Sequence, residues 1–305
     1  MLDQLLARVR QAGSSKHVNI VAYSGGVDSS LVAALVHRVF PENSIACLGV
    51  SAALPQDQLL LARNVASAIG IPLWEARTSE GNDPRYVENK GQSCYYCKTN
   101  LYTTLNQVAA HVKAQGCSSS PGVIPVMFNG TNADDKLDPT RLGTNVHIYS
   151  SSSTLVLFIM FCIGLVAATE FQVVSPLEHL SKASVRQISK DLGLPNWNYA
   201  ASPCLRSRLA FGVSANPDHL ARIEKAEGEV RSSLALARTD NLRVRFLANN
   251  RAAVELDAEK ERALLPTQIH HVETICRDLG FDHVVVRSFK SGSVSGYTPS
   301  SSSGP

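Results

Sequence analysis

A short apolar run rich in β-branched residues, HVNIVAY at residues 17–23, leads straight into a glycine pair and then into a segment of helical periodicity at residues 29–39. Strand, glycine loop and helix, in that order, open a βαβ unit. The alternation continues. Residues 45–50, 73–76, 123–129 and 173–175 read as strands, and residues 3–13, 54–69, 98–112 and 182–192 as helices. Gly70 and Gly193 fall just past two of these helices, where a left-handed cap is expected. Such a chain folds as α/β, with a Rossmann-like parallel sheet covered on both faces. We assign it residues 1–212. After Gly212 the texture changes. Residues 217–236 read as a charged amphipathic helix, LRVRFL at 242–247 as a half-buried strand, 252–256 and 283–287 as strands, and 267–279 as a helix. That is a small α+β domain over residues 213–290, a place for substrate binding or oligomerisation. The remainder, SGSVSGYTPSSSSGP at 291–305, has the composition of a disordered tail.

The glycine loop, YSGGVDSS at residues 23–30, has a definite chemistry. Gly25 and Gly26 let the backbone come close to a phosphate, and the amides at the following helix start favour an anion. Ser24, Ser29 and Ser30 add hydroxyl donors. Asp28 repels phosphate but can hold a magnesium ion that binds it. Neither a GK[ST] nor a GxGxxG pattern is present here. A second polar group, NGTNADD at residues 129–135, follows the strand at 123–129. Ligands bind at the carboxyl edge of a parallel sheet. Asn132 is placed to reach a phosphate or ribose there, and Asp134 or Asp135 to complete the magnesium site. A plain Asx turn is the simpler alternative.

Seven scattered cysteines do not make a disulfide framework. Cys94 and Cys97 form CYYC, which suits a metal, redox chemistry or mere packing. Cys204 stands in ASPCLRSR beside Arg206 and Arg208, and neighbouring guanidinium groups favour a thiolate. Cys47 and Cys276 lie on apolar faces and read as core.

SGGVDSS resembles the PP-loop of the adenine nucleotide α-hydrolase-like ATP pyrophosphatases, which release pyrophosphate and adenylate a substrate oxygen. SGGVDSS, CYYCKTNLY, NGTNADD, SPL at 175–177, LGLPNW at 192–197 and ASPCLRSR then follow in the order of one family. Over residues 5–287 the chain is similar to LarE, the ATP-dependent sacrificial sulfur transferases of nickel-pincer cofactor synthesis. The resemblance implies ATP and Mg²⁺ as cofactors and a small nucleotide-like carboxylate, a pyridinium mononucleotide, as substrate. It implies Cys204 as the nucleophile that displaces AMP and then gives up its sulfur, leaving dehydroalanine. In some members three cysteines instead hold a [4Fe-4S] cluster, and Cys94, Cys97 and Cys204 leave that route open. Arg243 and Arg245, on one side of the LRVRF strand, match an anion-binding pair. Arg208 and Glu227 complete the substrate residues implied. For Glu224 and Glu227 a solvated helix face is an equal alternative. A homo-oligomer is expected.

A net charge of +3 and no long basic stretch argue against a nucleic-acid partner, although an RNA-thiolating PP-loop enzyme remains an alternative. So does a silent ATP-binding isoform. The N-terminus has no apolar signal core, so a cytoplasmic protein is expected. Residues 144–169 carry no formal charge, but the apolar core TLVLFIMFCIGLVAA is short of the roughly 20 residues a membrane span needs. Removing residues 144–164 restores the family's run into LVAATEFQVVSPL, so the segment reads as an in-frame insertion, a retained intron. Residues 115–125 read as a smaller extra loop.

Overall fold

The computed structural model describes residues 1–114, 125–137 and 163–290. The expected extra loop, insertion and tail lie outside these residues but for Pro125, Ile163 and Gly164, as do Cys117 and Cys162. Among the described residues no helix is long and apolar enough to cross a membrane.

The chain runs α1 (Leu2–Ala12), β1 (Asn19–Tyr23), α2 (Val27–Val39), β2 (Ser44–Val50), α3 (Gln56–Ile69) and β3 (Leu73–Arg77). It continues through α4 (Pro84–Val87), α5 (Ser93–Ala114), β4 (Val126–Phe128), α6 (Ala133–Leu137), α7 (Ile163–Glu170) and α8 (Lys182–Asp191). The last part holds α9 (Pro217–Ser233), β5 (Leu242–Leu247), β6 (Arg251–Leu256), α10 (Ala258–Arg262), α11 (Pro266–Asp278) and β7 (His283–Ser288).

Strands β3-β2-β1-β4 form one parallel sheet. Side chains alternate across it, as the pleat requires. Val21 and Tyr23 of β1 join α1, α2, α3 and α8 in one core, while Ile20 and Ala22 join α5 and α7 in another. The expected strand at 173–175 is reduced to a single bridge between Phe128 and Val174. The order of strands reverses at β1, with β2 on one side and β4 on the other. That is the topological switch point, where an open parallel sheet leaves a crevice for ligands at the strands' carboxyl ends.

The C-terminal sheet has the order β5-β6-β7, antiparallel then parallel. Its core draws Ala53 and Tyr86 from the N-terminal part, with Leu205 and Leu209. β5 is not half-buried: Leu242 through Phe246 are all buried, arginines included. Internal acceptors and ion partners make burial of those charges tolerable, and alternation of residue types cannot reveal them.

Candidate functional site

Both polar segments lie at the switch point. The first leaves β1 as Ser24-Gly25-Gly26 and enters α2. Gly25 has φ +71°, a left-handed backbone that suits glycine, and a Cβ there would meet the Ala62 Cα at 2.7 Å. The loop is held from several directions. Ser29 Oγ donates to the Gly26 carbonyl at 3.1 Å and lies 3.0 Å from Ser24 Oγ. Gln58 Nε2 donates to the Ser24 carbonyl at 2.6 Å. Buried Asn196 donates to the Gly25 carbonyl at 2.8 Å and to Ser30 Oγ at 3.0 Å. Asn196 is thus the use of the LPNW motif, 171 residues along the chain.

The second segment leaves β4. Gly130 packs so closely on α2 that a Cβ would sit 2.7 Å from the Ser29 nitrogen and 2.8 Å from the Asp28 carbonyl carbon. Asn132 donates from Nδ2 to Asp28 Oδ1 at 3.0 Å, and its own Oδ1 accepts from the Asp134 and Asp135 backbones at 3.0 and 3.2 Å. Asp28 and Asp134 meet at Lys182, the first residue of α8. Asp28 takes the lysine's ammonium, and Asp134 Oδ2 accepts from its backbone N–H at 2.9 Å. Lys182 was not foreseen. The sequence signal was its place as the first helical lysine after SPL, near the N-terminus of α8 where phosphate is favoured.

Cys204 is exposed and opens the 3₁₀ turn Leu205–Arg208. The Leu205 N–H donates to the Ala53 carbonyl at 2.8 Å, just past the carboxyl end of β2, so this turn lies on the same sheet edge as the glycine loop. Cys94 and Cys97 lie in the first turns of α5, which starts at Ser93 rather than Lys98. Arg206 gathers the group. Its Nη1 donates to Asn89 Oδ1 at 2.8 Å and its Nη2 to Cys94 Sγ at 2.9 Å, and its charge is felt by Cys94, Cys204, Tyr86 and Cys97. Burial, then the Cys204 and Glu80 charges, push the Cys97 thiol up to about 12. Burial also raises Cys47 and Cys276 to about 12 each, as expected of core thiols.

The arginines differ from expectation. Neither Arg206 nor Arg208 donates to the Cys204 sulfur. Arg208, expected at the substrate, is 1% exposed. It pairs with Glu227 at 2.9 and 3.1 Å and donates to the carbonyls of Pro203 and, at 3.1 Å, Cys204. It holds the cysteine turn from beneath. Glu227 also accepts from the Val244 N–H at 2.9 Å, so it is no solvated face. Burial works against its charge, but Arg208 keeps the carboxyl below the usual range. Glu224, one helical turn away, accepts from the Gln56 N–H at 2.5 Å. Arg245 pairs with buried Glu255 at 2.8 Å. Arg243 instead donates to the carbonyls of Leu242 and Ala201, and burial, then Arg208, hold its pKa down to about 10. Of the three arginines it alone lacks a carboxylate partner among the described residues.

The sequence signature of the NAD synthase family matches residues 1–89. An uncharacterised protein of Synechocystis, slr1717, is 34% identical over 229 residues, 74% of each chain. The pyridinium-3,5-bisthiocarboxylic acid mononucleotide synthase of Lactiplantibacillus plantarum is 27% identical over 277 residues, covering 89% of this chain and 87% of that one. The chain belongs to the LarE family of PP-loop proteins. A GMP synthase of Teredinibacter turnerae, 29% identical over 207 residues, shares 64% of this LarE-family chain but only 35% of its own.

Two groups that the LarE family implies can be tested against the side chains. A magnesium ion carried on nucleotide phosphates needs only one or two protein carboxylates, and Asp28, beside the loop, fits that role. The cluster is different. Among the described residues no three His, Cys, Asp or Glu side chains are arranged to hold a metal ion. Cys94, Cys97 and Cys204 share the neighbourhood of Arg206.

In this LarE-family protein the Glu227–Arg208 pair is expected to carry stability. Glu227→Ala leaves a buried guanidinium unpaired and should cost about 3–5 kcal/mol. Glu75→Ala, which breaks a surface pair with Arg63, should cost about 0–1 kcal/mol. Urea midpoints at unchanged slope measure both.

Proposed function

We propose that the protein adenylates a carboxyl group of a small pyridinium mononucleotide with ATP and then transfers the sulfur of Cys204 to it. The observation that carries the reading is the common sheet edge. The phosphate loop follows β1, and the exposed Cys204 turn hangs from Ala53, beyond the end of neighbouring β2. An activated carboxyl made at the one is within the province of the other.

Ser24, Gly25, Gly26, Ser29 and Ser30 hold the pyrophosphate, and Asn132 and Asp135 order the facing loop. Asp28 would hold the magnesium ion that accompanies the nucleotide, and the ion would offset the charge of the phosphates. Lys182 is poised to leave Asp28 for the phosphates, since each prefers its opposite charge when both arrive. Arg243, which has no carboxylate partner among the described residues, takes the substrate's phosphate, supported by Arg245, Arg208 and Glu227. The Cys204 thiolate attacks the acyl-adenylate carbon, the bond to AMP breaks, and a thioester forms. Loss of the Cys204 Cα proton to a base and cleavage of its Cβ–S bond leave dehydroalanine on the protein and a thiocarboxylate on the substrate.

The test is intact-protein mass after anaerobic incubation with ATP, magnesium and a pyridinium dicarboxylate mononucleotide. We expect a loss equal to one hydrogen sulfide, mapped to Cys204. Thiolated product without that loss refutes the sacrificial route. Failure to release pyrophosphate refutes the adenylation.

A further inference from the structure

Asp28 is the carboxylate that suits the metal, and both of its oxygens are already engaged. Oδ1 accepts from Asn132 Nδ2 at 3.0 Å. The orientation of that amide is fixed, because Asn132 Oδ1 faces the Asp134 and Asp135 N–H groups at 3.0 and 3.2 Å. Oδ2 takes the Lys182 ammonium, from 154 residues along the chain. The two side chains are 23% and 31% exposed, so solvent screens this pair less than an open one such as Lys225–Glu229, at 65% and 45%.

The backbone of Lys182 is tied down on several sides. Its N–H donates to Asp134 Oδ2 at 2.9 Å, the Ala133 N–H donates to the Leu180 carbonyl at 2.9 Å, and Ser181 caps α8 by accepting from the Ser184 N–H. The start of α8 is thus fastened to the loop after β4, and the part free to move is a flexible four-carbon stem ending in a charge. Among the described residues its one ion pair is with Asp28. A magnesium ion takes a carboxylate oxygen as ligand, and a second cation on the same carboxylate repels it. A polyphosphate in the adjoining glycine loop acts the other way, because it offers the ammonium a second anion.

We propose that Lys182 competes with the divalent cation for Asp28, and that a polyphosphate ends the competition by drawing the ammonium away. Metal and polyphosphate then enter as a coupled pair, each raising the site's affinity for the other. Asp28 is guarded against free divalent cations until a phosphate chain lies in the loop. This rests on the reading of the glycine loop as the phosphate site and of Asp28 as the metal's ligand. It adds the residue that makes the two depend on each other.

The test needs no catalysis. Binding of Mn²⁺ alone, a paramagnetic stand-in for Mg²⁺, is read from the electron paramagnetic resonance signal of the free ion. Binding of inorganic pyrophosphate alone, to metal-stripped protein, is read by calorimetry. Lys182→Met should bind Mn²⁺ about tenfold more tightly than the wild type, and pyrophosphate about tenfold more weakly. Lys182→Gln, which keeps a polar end, should show the same two shifts. Adding Asp28→Asn to Lys182→Met should remove the gained Mn²⁺ affinity, and Lys225→Met, on the surface, should move neither ligand. The opposed signs separate competition from damage, since a disordered site loses both ligands. Mn²⁺ bound no more tightly by the two Lys182 variants, or pyrophosphate bound as well by them as by the wild type, overturns the proposal. The adenylation reading stands or falls separately, on release of pyrophosphate from ATP.

Discussion

Cys204→Ala should lower formation of thiolated product by a factor on the order of 10⁵, while one round of ATP-dependent pyrophosphate release survives. The reason lies in what the side chain does and does not hold up. Cys204 is exposed, its backbone is extended at φ −58° and ψ 154°, and it makes no capping bond to the turn it opens. Alanine adopts that backbone without strain. The turn itself is carried by Leu205, tied to Ala53, and by Arg208 beneath the Pro203 and Cys204 carbonyls. The variant should therefore fold, bind nucleotide and activate its substrate, then stall. Single-turnover pyrophosphate and product assays on one preparation read this split. Product formed at more than a hundredth of the wild-type rate places the sulfur elsewhere.

The second large effect is expected far from sulfur. Gly130→Ala sets a methyl group against the first turn of α2, 2.7 Å from the Ser29 nitrogen and 2.8 Å from the Asp28 carbonyl carbon. These are backbone atoms and cannot swing aside, so the helix start or the β4 loop must move. Overpacking of this kind costs about 1–3 kcal/mol in stability. The loss in chemistry is larger, because displacing positioned groups by an ångström costs about 100-fold in rate. ATP-dependent pyrophosphate release should fall by that order, with the melting temperature only modestly lower. Gly228→Ala, on α9 with nothing within 4 Å, is the matched control and should be silent or slightly stabilising. Equal rates for the two variants would show that the β4 loop does not set the phosphate site.

The parallel sheet was legible because its central strand β1 is buried on both faces and, like β2, reads as an apolar run between helices. Within HVNIVAY, Asn19–Tyr23 became β1, and the glycine loop and helix after it left no room for another reading. Residues 173–175 were harder: three residues carry too little pattern to tell a strand from the single bridge at Val174. In β5 the alternation of arginine with apolar residues has the right period and the wrong inference. Polar type usually marks a wet face, yet Glu255, on the paired strand, takes Arg245 inward, and the Leu242 and Ala201 carbonyls take Arg243. The phosphate loop was visible in seven letters. Its supports were not, because Asn196, Gln58 and Lys182 act across 171, 34 and 154 residues of chain, and such pairings have no local signature. The same distance hid the fact that Arg206 gives its hydrogen bond to the Cys94 sulfur and not to that of Cys204.

The Asn196 clamp also sets an order of events during synthesis. Strands β1 to β3 and their helices are complete early and are joined by short connections, so they can pair while translation continues. The loop after β1 is different: its carbonyl at Gly25 waits for an amide that the ribosome reaches 171 residues later. A nascent chain thus carries the sheet well before it carries a finished nucleotide grip. Premature termination anywhere before Asn196 yields a fragment with the nucleotide motif spelled out in full and its lock missing.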